Sequence, residues 1–210
     1  FWRLINCNAD LLTGTANQPY ILVPPAFSGQ TIYIRVWPQS GSANGGTFEI
    51  CAYDPVPPPN DDPCGALPVL VDAGCTTVTS TNQNATASAV AAPTCGAGAP
   101  YNDVWFTMIV PAVPVGSGVI INTASPTLNN AAIAVYIAGA CGGAFTEVGC
   151  SDPAAPMPSL QINQNGTTIV AGTVLYVRVW HNNAVFANFT ICATPTFPPA
   201  NDEPCGAIAV

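Results

Sequence analysis

The chain has 210 residues, a formal net charge of -8 and a pI of about 4.1, and only 7% of its residues are charged. Three basic residues against eleven acidic ones exclude the basic surface that binds nucleic acid or an anionic membrane. A hydrophobic content of 49% excludes a disordered chain. No run of about 18 apolar residues is present, so no membrane span is predicted.

The predicted elements are short β-strands separated by Gly, Pro, Asn and Ser. In chain order these strands are 31–37, 103–110, 118–124, 131–138, 173–180 and 187–193. Along 31–37 and 173–180, aliphatic side chains alternate with aromatic or basic ones, as in a strand whose two faces differ. The 22 prolines and 18 glycines disfavour helices. We therefore expect an all-β protein of tandem jelly-roll or immunoglobulin-like β-sandwich modules, with about eight to ten strands in each.

The sequence contains an internal repeat. IYIRVW at 32–37 recurs as LYVRVW at 175–180, and Cys7 and Cys150 are separated by the same interval. FEICA at 48–52 recurs as FTICA at 189–193, and PPPNDDPCGA at 57–66 recurs as PPANDEPCGA at 198–207, at a slightly shorter interval. These offsets predict the C-terminal part of a module at 1–59, a complete module at 60–200 and the first strand of a following module at 201–210.

The order of these motifs resembles a known family. NDDPCGA, NDVWFTM, AVYIAGAC with VGCSD, and LYVRVW with NFTICA follow one another here. This order is similar to that of the repeated β-sandwich modules of large secreted surface proteins of Bacteroidetes, often cargo of the gliding-associated (type IX) secretion system. Those modules are distantly similar to bacterial pre-peptidase C-terminal domains. The resemblance implies a jelly-roll-like sandwich with a non-catalytic role in adhesion or surface architecture.

The cysteines indicate disulfide bonds and not a zinc site, because nine cysteines occur with one histidine and no C-x-x-C pair. Disulfides predict an extracellular or cell-surface protein. Cys141 and Cys150 bracket a short hairpin-like segment and are expected to pair. Cys75 and Cys95 are expected to pair across neighbouring strands.

The remaining cysteines allow two schemes. Cys64 and Cys192, on the first and last predicted strands, could bond to each other. Alternatively, the bonds Cys51–Cys64 and Cys192–Cys205 could clamp the two proline-rich linkers, since both pairs have the same spacing in the sequence. Cys7 has no partner in either scheme.

Acidic pairs in the linkers are candidate ligands for calcium, the one candidate cofactor. Asp61 with Asp62, and Asp202 with Glu203, each follow Asn and precede Pro-Cys. Clustered carboxylates at a module junction are typical of sites where Ca²⁺ stiffens extracellular repeats. Two loop aspartates could extend this ligand set: Asp103 and Asp152. The alternative is a solvated turn in which Asn and Asp satisfy their own backbone.

Two predicted strands carry a Tyr-x-Arg-x-Trp face. The side chains of these two faces are Tyr33, Arg35 and Trp37, and Tyr176, Arg178 and Trp180. One interpretation is an exposed platform that stacks against surface glycans. The other is an arginine packed between two aromatic rings and paired with an acid.

Three N-x-Ser/Thr sequons make Asn84, Asn165 and Asn188 glycosylation candidates. Asn188 is expected to point outward, opposite the apolar residues of its strand. His181 is the only histidine, and no Ser/His/Asp order or G-x-S-x-G motif accompanies it. We therefore do not expect an enzyme.

The leading functional hypothesis is a structural protomer of an extracellular filament, assembled head to tail from copies of itself. In this hypothesis the last six residues add as a strand to residues 1–59 of the next subunit. These residues are Cys205, Gly206, Ala207, Ile208, Ala209 and Val210. The alternatives are a fragment of a long tandem-repeat cell-surface adhesin and a carbohydrate-binding accessory module.

Overall fold

The computed structural model describes residues 21, 23, 27–37, 47, 49–52, 56–96, 101–114, 116–126, 130–152, 157–181 and 187–198. The chain divides into two compact units, Phe1–Tyr53 and Asp54–Val210. Cys7 and the predicted sites at 201–210, including Asp202, Glu203 and Cys205, lie outside the described residues.

The described part of the second unit forms nine β-strands. They are β1 (Leu67–Pro68), β2 (Val78–Thr81), β3 (Tyr101–Ile109), β4 (Gly118–Ala124), β5 (Ala131–Ile137), β6 (Thr146–Ser151), β7 (Ser159–Asn163), β8 (Val174–His181) and β9 (Asn188–Pro195). Five strands form one sheet in the order β1-β3-β8-β5-β6, and four form a second in the order β2-β9-β4-β7. The expectation of an all-β sandwich is confirmed. Across the described residues, no helix is long and apolar enough to cross a membrane.

The hydrophobic core lies between the two sheets. Strand alternation turns Val104, Phe106 and Met108 of β3 inward, on the same face of the sheet as the aliphatic side chains of β8. Phe106 meets Phe189 of β9, with ring centroids 5.9 Å apart and the rings nearly perpendicular. This edge-to-face contact joins the two sheets.

The five-stranded sheet also buries its outer face, and small residues on β5 make room for large ones on β8. In the ladder, Arg178 stands between Trp105 of β3 and Ala134 of β5. Trp180 stands beside Ala132 of β5. Because alanine fills little space, these positions on β5 leave room for the larger side chains of β8 beside them.

The repeated motif NDDPCGA fastens the linker to both sheets. Asn60 is fully buried, and its Nδ2 donates to the carbonyl oxygen of Trp105 at 3.1 Å and to Ser80 Oγ at 3.3 Å. The Trp105 N–H donates to the carbonyl oxygen of Asn60 at 2.8 Å. A Cβ on Gly65 would lie 2.1 Å from the carbonyl oxygen of Pro59, so the motif requires glycine there. The motif is therefore a compact structural turn.

The predicted opening strand, CGALPV at 64–69, is shorter than expected. Cys64 and Gly65 belong to a 3-10 turn (Pro63–Gly65), and only Leu67–Pro68 is strand. That strand runs parallel to β3 at the edge of the five-stranded sheet, with Leu67 opposite Phe106. It is not paired with the last strand, β9.

The predicted strand at 31–37 is not paired in the structure. Its counterpart, β8, lies at the centre of its sheet and pairs with β3 on one side and β5 on the other. The described residues of the first unit contain no strand with which 31–37 could pair. A strand without a neighbour has no ladder, which explains why the prediction is wrong here.

Candidate functional site

A buried ion pair occupies the outer face of the five-stranded sheet. Arg178 Nε lies 2.9 Å from Asp103 Oδ2, and the two side chains are 1% and 0% exposed. Asp103 also accepts hydrogen bonds from Ser88 N at 2.9 Å, Ser88 Oγ at 2.6 Å and Trp105 Nε1 at 3.0 Å. Burying two charges costs free energy that good geometry and added hydrogen bonds must offset. The three hydrogen bonds to Asp103 are of this offsetting kind.

The guanidinium of Arg178 is engaged on its other sides as well. Its NH1 nitrogen donates to the carbonyl oxygen of Ala91 at 3.0 Å and points to that of Val90 at 3.4 Å. The guanidinium carbon lies 5.3 Å from the centroid of the Trp105 ring, within cation–π range. Arg178 therefore joins β3 and β8 to the segment that crosses above them.

Aromatic side chains surround this ion pair. The Phe145 ring lies 5.5 Å from Trp105, 6.0 Å from Tyr136 and 5.2 Å from Tyr176, measured between ring centroids. Trp180 is also buried in this cluster. Phe145 comes from the β5–β6 hairpin loop, so that loop folds back over the sheet.

Residues 84–96, which we call the strap, cover the same face. Three hydroxyl residues of the strap each hold one carboxylate through both the backbone N–H and the hydroxyl. Thr86 donates to Asp61 from its N–H at 2.5 Å and from its hydroxyl at 2.6 Å. Ser88 donates to Asp103 from its N–H at 2.9 Å and from its hydroxyl at 2.6 Å. Thr94 donates to Glu147 from its N–H at 2.9 Å and also from its hydroxyl. The strap is therefore fastened to the linker, to β3 and to β6 in turn.

A β-bulge gives the strap a further attachment. The β3–β8 register shifts between Tyr101 and Val104, and Asn102 has a φ of 60°, a left-handed conformation that asparagine tolerates. The Asn102 side-chain amide donates to the carbonyl oxygen of Ala85.

Three disulfides tie the module, and their pairing differs from the predicted schemes. The bonds are Cys64–Cys141, Cys75–Cys192 and Cys95–Cys150, with sequence separations of 77, 117 and 55 residues. Bonds of this number are consistent with an oxidising, extracytoplasmic compartment.

The predicted bond Cys141–Cys150 is wrong because of the hairpin register. The β5–β6 ladder ends at Ile137 opposite Thr146, whereas Cys150 lies opposite Ala134. Cys150 is therefore about 13 Å along the strand from the loop that carries Cys141. A disulfide allows no more than about 7 Å between Cα atoms.

The predicted bond Cys75–Cys95 is wrong because the two cysteines belong to different layers. Cys75 precedes β2 and bonds to Cys192 of β9 in the four-stranded sheet. Cys95 ends the strap on the outer face of the five-stranded sheet and bonds to Cys150 there.

Both schemes for the remaining cysteines are also wrong. Cys64 bonds to Cys141 beside the five-stranded sheet, and Cys192 bonds to Cys75 in the four-stranded sheet. Because each already has another partner, the bonds Cys64–Cys192, Cys51–Cys64 and Cys192–Cys205 are excluded. Cys51 is an exposed free thiol in the described part of the chain.

The exposed-platform interpretation of Tyr176, Arg178 and Trp180 is wrong, because all three side chains are buried. The alternative interpretation, an arginine among aromatic rings and paired with an acid, is what the structure contains. The face in the first unit differs. Tyr33 is 72% and Trp37 55% exposed, and the Arg35 guanidinium carbon lies 5.5 Å from the Trp37 ring centroid.

Two of the acids predicted to bind calcium, Asp61 and Asp103, have other contacts. Both carboxylate oxygens of Asp61 accept from Thr86, and Asp62 is exposed before the 3-10 turn. Asp103 is committed to the ion pair. Within the described ranges, no three His, Cys, Asp or Glu side chains are grouped so as to hold a metal. The acids at 202 and 203 lie outside those ranges, so calcium at that junction stays a prediction.

The sequons have different surroundings. Asn188 is exposed on β9, on the side opposite the buried Phe189. Asn165 is exposed in the β7–β8 loop, where its Oδ1 accepts from the backbone N–H groups of 167, 168 and 169 at 2.9–3.0 Å. Asn84 is half-buried at the start of the strap with a φ of 63°. Glycosylation at these three residues stays a prediction.

We expect the buried Tyr136 to make the stability of the module depend on alkaline pH. Burial raises the pKa of its hydroxyl above the ordinary value of 10.0, and the charge of Arg178 offsets part of that rise. The pKa of Tyr136 is higher in the folded state than in the unfolded state. Its contribution to the free energy of unfolding is therefore complete below pH 10 and is lost as pH rises through the folded-state pKa. We expect a late step in the tyrosinate absorbance of the native protein that disappears in Tyr136→Phe. An unchanged late step in that variant would contradict this assignment.

The chain is similar to two solved β-sandwich structures. No family model and no curated protein matches it. One structure is the pre-peptidase C-terminal domain of a collagenase from Bacillus anthracis (8% identity, TM-score 0.37, covering 61% of this chain and 93% of that one). The other is the Yersinia pseudotuberculosis-derived mitogen (14% identity, TM-score 0.34, covering 59% and 86%). These similarities concern the fold alone, and the proposed function rests on this chain's own residues.

Proposed function

We propose that this chain is a structural building block of an extracellular fibre in which β-sandwich modules follow one another head to tail. The observation that carries the proposal is the unequal burial of two copies of one sequence motif. The Tyr-x-Arg-x-Trp residues of β8 are enclosed, whereas the same residue types at Tyr33, Arg35 and Trp37 are exposed.

The complete module indicates what encloses such a strand. β8 is flanked by β3 and β5, covered outside by the strap and inside by the second sheet. The strap and the strands that enclose β8, apart from β7 and β9, come from residues 60–151, the part of the module that precedes β8 in the sequence. The β8 strand of a module is therefore enclosed only when the part of the module that precedes it in the sequence packs against the part that contains it. Head-to-tail contacts between modules produce a fibre when they do not close into a ring.

The strand order changes how such a row must be joined. Residues 205–210 correspond to the segment around β1, which pairs only with β3 in its sheet. The described first unit contains no strand equivalent to β3. Among the described residues of that unit, those six residues alone would find no β3 equivalent to pair with, so we expect the joining segment to include the β3 and β5 equivalents.

Four charged groups of the module support a structural role. Asp61, Asp103 and Glu147 each hold the strap, and Arg178 is paired within the sheet. Each of these charges therefore stabilises the fold. Together with the three disulfides, they favour a rigid module suited to the cell exterior.

Electron microscopy of the secreted protein tests the proposal. We expect fibres from the unaltered protein and short or isolated particles from Trp37→Ser, because that change removes an aromatic side chain from the exposed Tyr-x-Arg-x-Trp face. The matched control is Ile109→Ser, which alters a side chain 62% exposed on the complete module. Isolated particles in the unaltered protein, or fibres of equal length in Trp37→Ser, would contradict the proposal.

Intact mass distinguishes two forms of the fibre. Separate protomers would have a mass near 21.5 kDa. A long tandem-repeat surface protein, such as the Bacteroidetes proteins that the motifs resemble, would have a much larger mass, with the modules covalently joined.

The exposure of Tyr33, Arg35 and Trp37 also favours a second candidate, a carbohydrate-binding accessory module. Exposed aromatic rings beside a guanidinium can stack on sugar rings. Binding on a glycan array that is lost in Trp37→Ala, without fibres in the micrographs, would favour this candidate. No binding, with fibres present, would remove it.

A further inference from the structure

We infer that the Tyr33–Trp37 face is the docking surface for a module-opening segment of the same repeat, one that resembles residues 60–143 of this chain. This inference rests on the proposed function and names the partner that the fibre would require. The partner must present an Asp-x-Trp strand and a Ser/Thr strap.

Charge complementarity is the first reason. Arg35 is exposed, and its counterpart Arg178 is paired with Asp103 at 2.9 Å. In the closed module Asp103 lies two residues before Trp105, which stands opposite Arg178 in the ladder. An Asp-x-Trp strand beside residues 31–37 would supply Arg35 with the same carboxylate and the same indole.

The aliphatic side chains that alternate with this face are the second reason. Ile34 and Val36 are 59% and 51% exposed, whereas their counterparts Val177 and Val179 are 0% and 2% exposed. Apolar side chains left in water favour association that buries them. A partner with both a strap and the strands of the opposing sheet would cover the two faces at once.

The cysteines specify how the partner would be bonded. Cys51 is the repeat counterpart of Cys192, which bonds to Cys75. An opening segment would therefore bring a Cys75-type cysteine to Cys51. Bond formation joins the two sulfurs and releases two protons and two electrons. A small disulfide such as oxidised glutathione accepts them and becomes two thiols.

The test adds residues 60–143 in front of Phe1 of the full chain, because the repeat counterpart of Phe1 is Ala144. After refolding with glutathione, we expect Cys51 to stop reacting with a maleimide and to appear in a peptide bonded to the added Cys75. We also expect acrylamide quenching of Trp37, measured against Trp37→Phe, to fall to that of a buried tryptophan.

Two matched variants of the added segment separate docking from bonding. With Cys75→Ser in the added copy, Trp37 should still be protected while Cys51 stays reactive. With Asp103→Arg in the added copy, both Trp37 and Cys51 should stay accessible. Formation of the added Cys64–Cys141 bond reports that the segment has folded. A folded segment that leaves Cys51 reactive and Trp37 accessible overturns the inference.

Non-reducing peptide mapping of the protein from its producing cells provides a second measurement that needs no added segment. Cys51 bonded to a Cys75-type peptide supports the inference, and a free Cys51 overturns it. Bonds between Cys51 and Cys75 of two copies of the unaltered chain would make a second copy the occupant and also overturn it. If the added segment closes the face but no fibres form, the proposed function fails while the docking surface stands.

Discussion

Replacing Arg178 by methionine is expected to lower the free energy of unfolding of the complete module by about 3–5 kcal/mol. Methionine has nearly the volume of the arginine stem, so packing against the aromatic cluster is largely kept. The loss comes from Asp103, which is fully buried and would lose its 2.9 Å partner. The two bonds to the strap carbonyls at Val90 and Ala91 would be lost as well.

Urea unfolding of a double-mutant cycle checks this expectation. The double variant Arg178→Met with Asp103→Asn should recover part of the loss, since no unpaired buried charge remains. The control is Arg35→Met in the first unit, where the guanidinium is exposed and the change should be within about 0.5 kcal/mol. A loss below about 1 kcal/mol for Arg178→Met would show that the ion pair is not what holds this face together.

Removing the Cys75–Cys192 bond is expected to cost about 4–5 kcal/mol, from the chain entropy of the loop that it closes. The bond has the largest sequence separation of the three, 117 residues. It ties the segment before β2 to β9 and so to the four-stranded sheet. The double variant Cys75→Ala with Cys192→Ala should therefore unfold at a much lower urea concentration or temperature.

Cys51→Ala is the matched control, because Cys51 is an exposed thiol with no disulfide in the described residues. Its effect should be within about 0.5 kcal/mol. Equal effects of the control and the double variant would contradict the observed pairing. The same outcome for Cys95→Ala with Cys150→Ala would show that the strap is held by its hydrogen bonds alone.

The strands of the complete module were predictable because their side chains alternate. Leu175, Val177 and Val179 face the core while Tyr176 and Arg178 face outward, as the pattern indicates. This periodicity is local, since each residue's side follows from its neighbours. The repeat likewise located β8 and β9 within a residue or two.

The disulfides and the strap were not predictable, because they depend on which elements meet in space. Close spacing favoured Cys141–Cys150, but the hairpin register separates these residues and brings Cys95 to Cys150 instead. The strap has one signal in the sequence: hydroxyl residues, including Thr86 and Ser88, spaced by alanines ahead of Cys95. That pattern does not reveal which carboxylates they hold.

The burial of one face was ambiguous for a different reason. Tyr-x-Arg-x-Trp is compatible with an open platform or a closed core, and the acid that decides between them, Asp103, is far from Arg178 in the sequence. Only the sheet order places those two side chains together. The same dependence on a distant segment applies to the exposed copy at Arg35.

Cryo-electron microscopy of the native protein at side-chain detail tests the central claim most directly. We expect modules in a row, with residues 31–37 flanked by two strands and an aspartate within ion-pair distance of Arg35. A particle in which Tyr33 and Trp37 face solvent, or stack on a sugar, would contradict it.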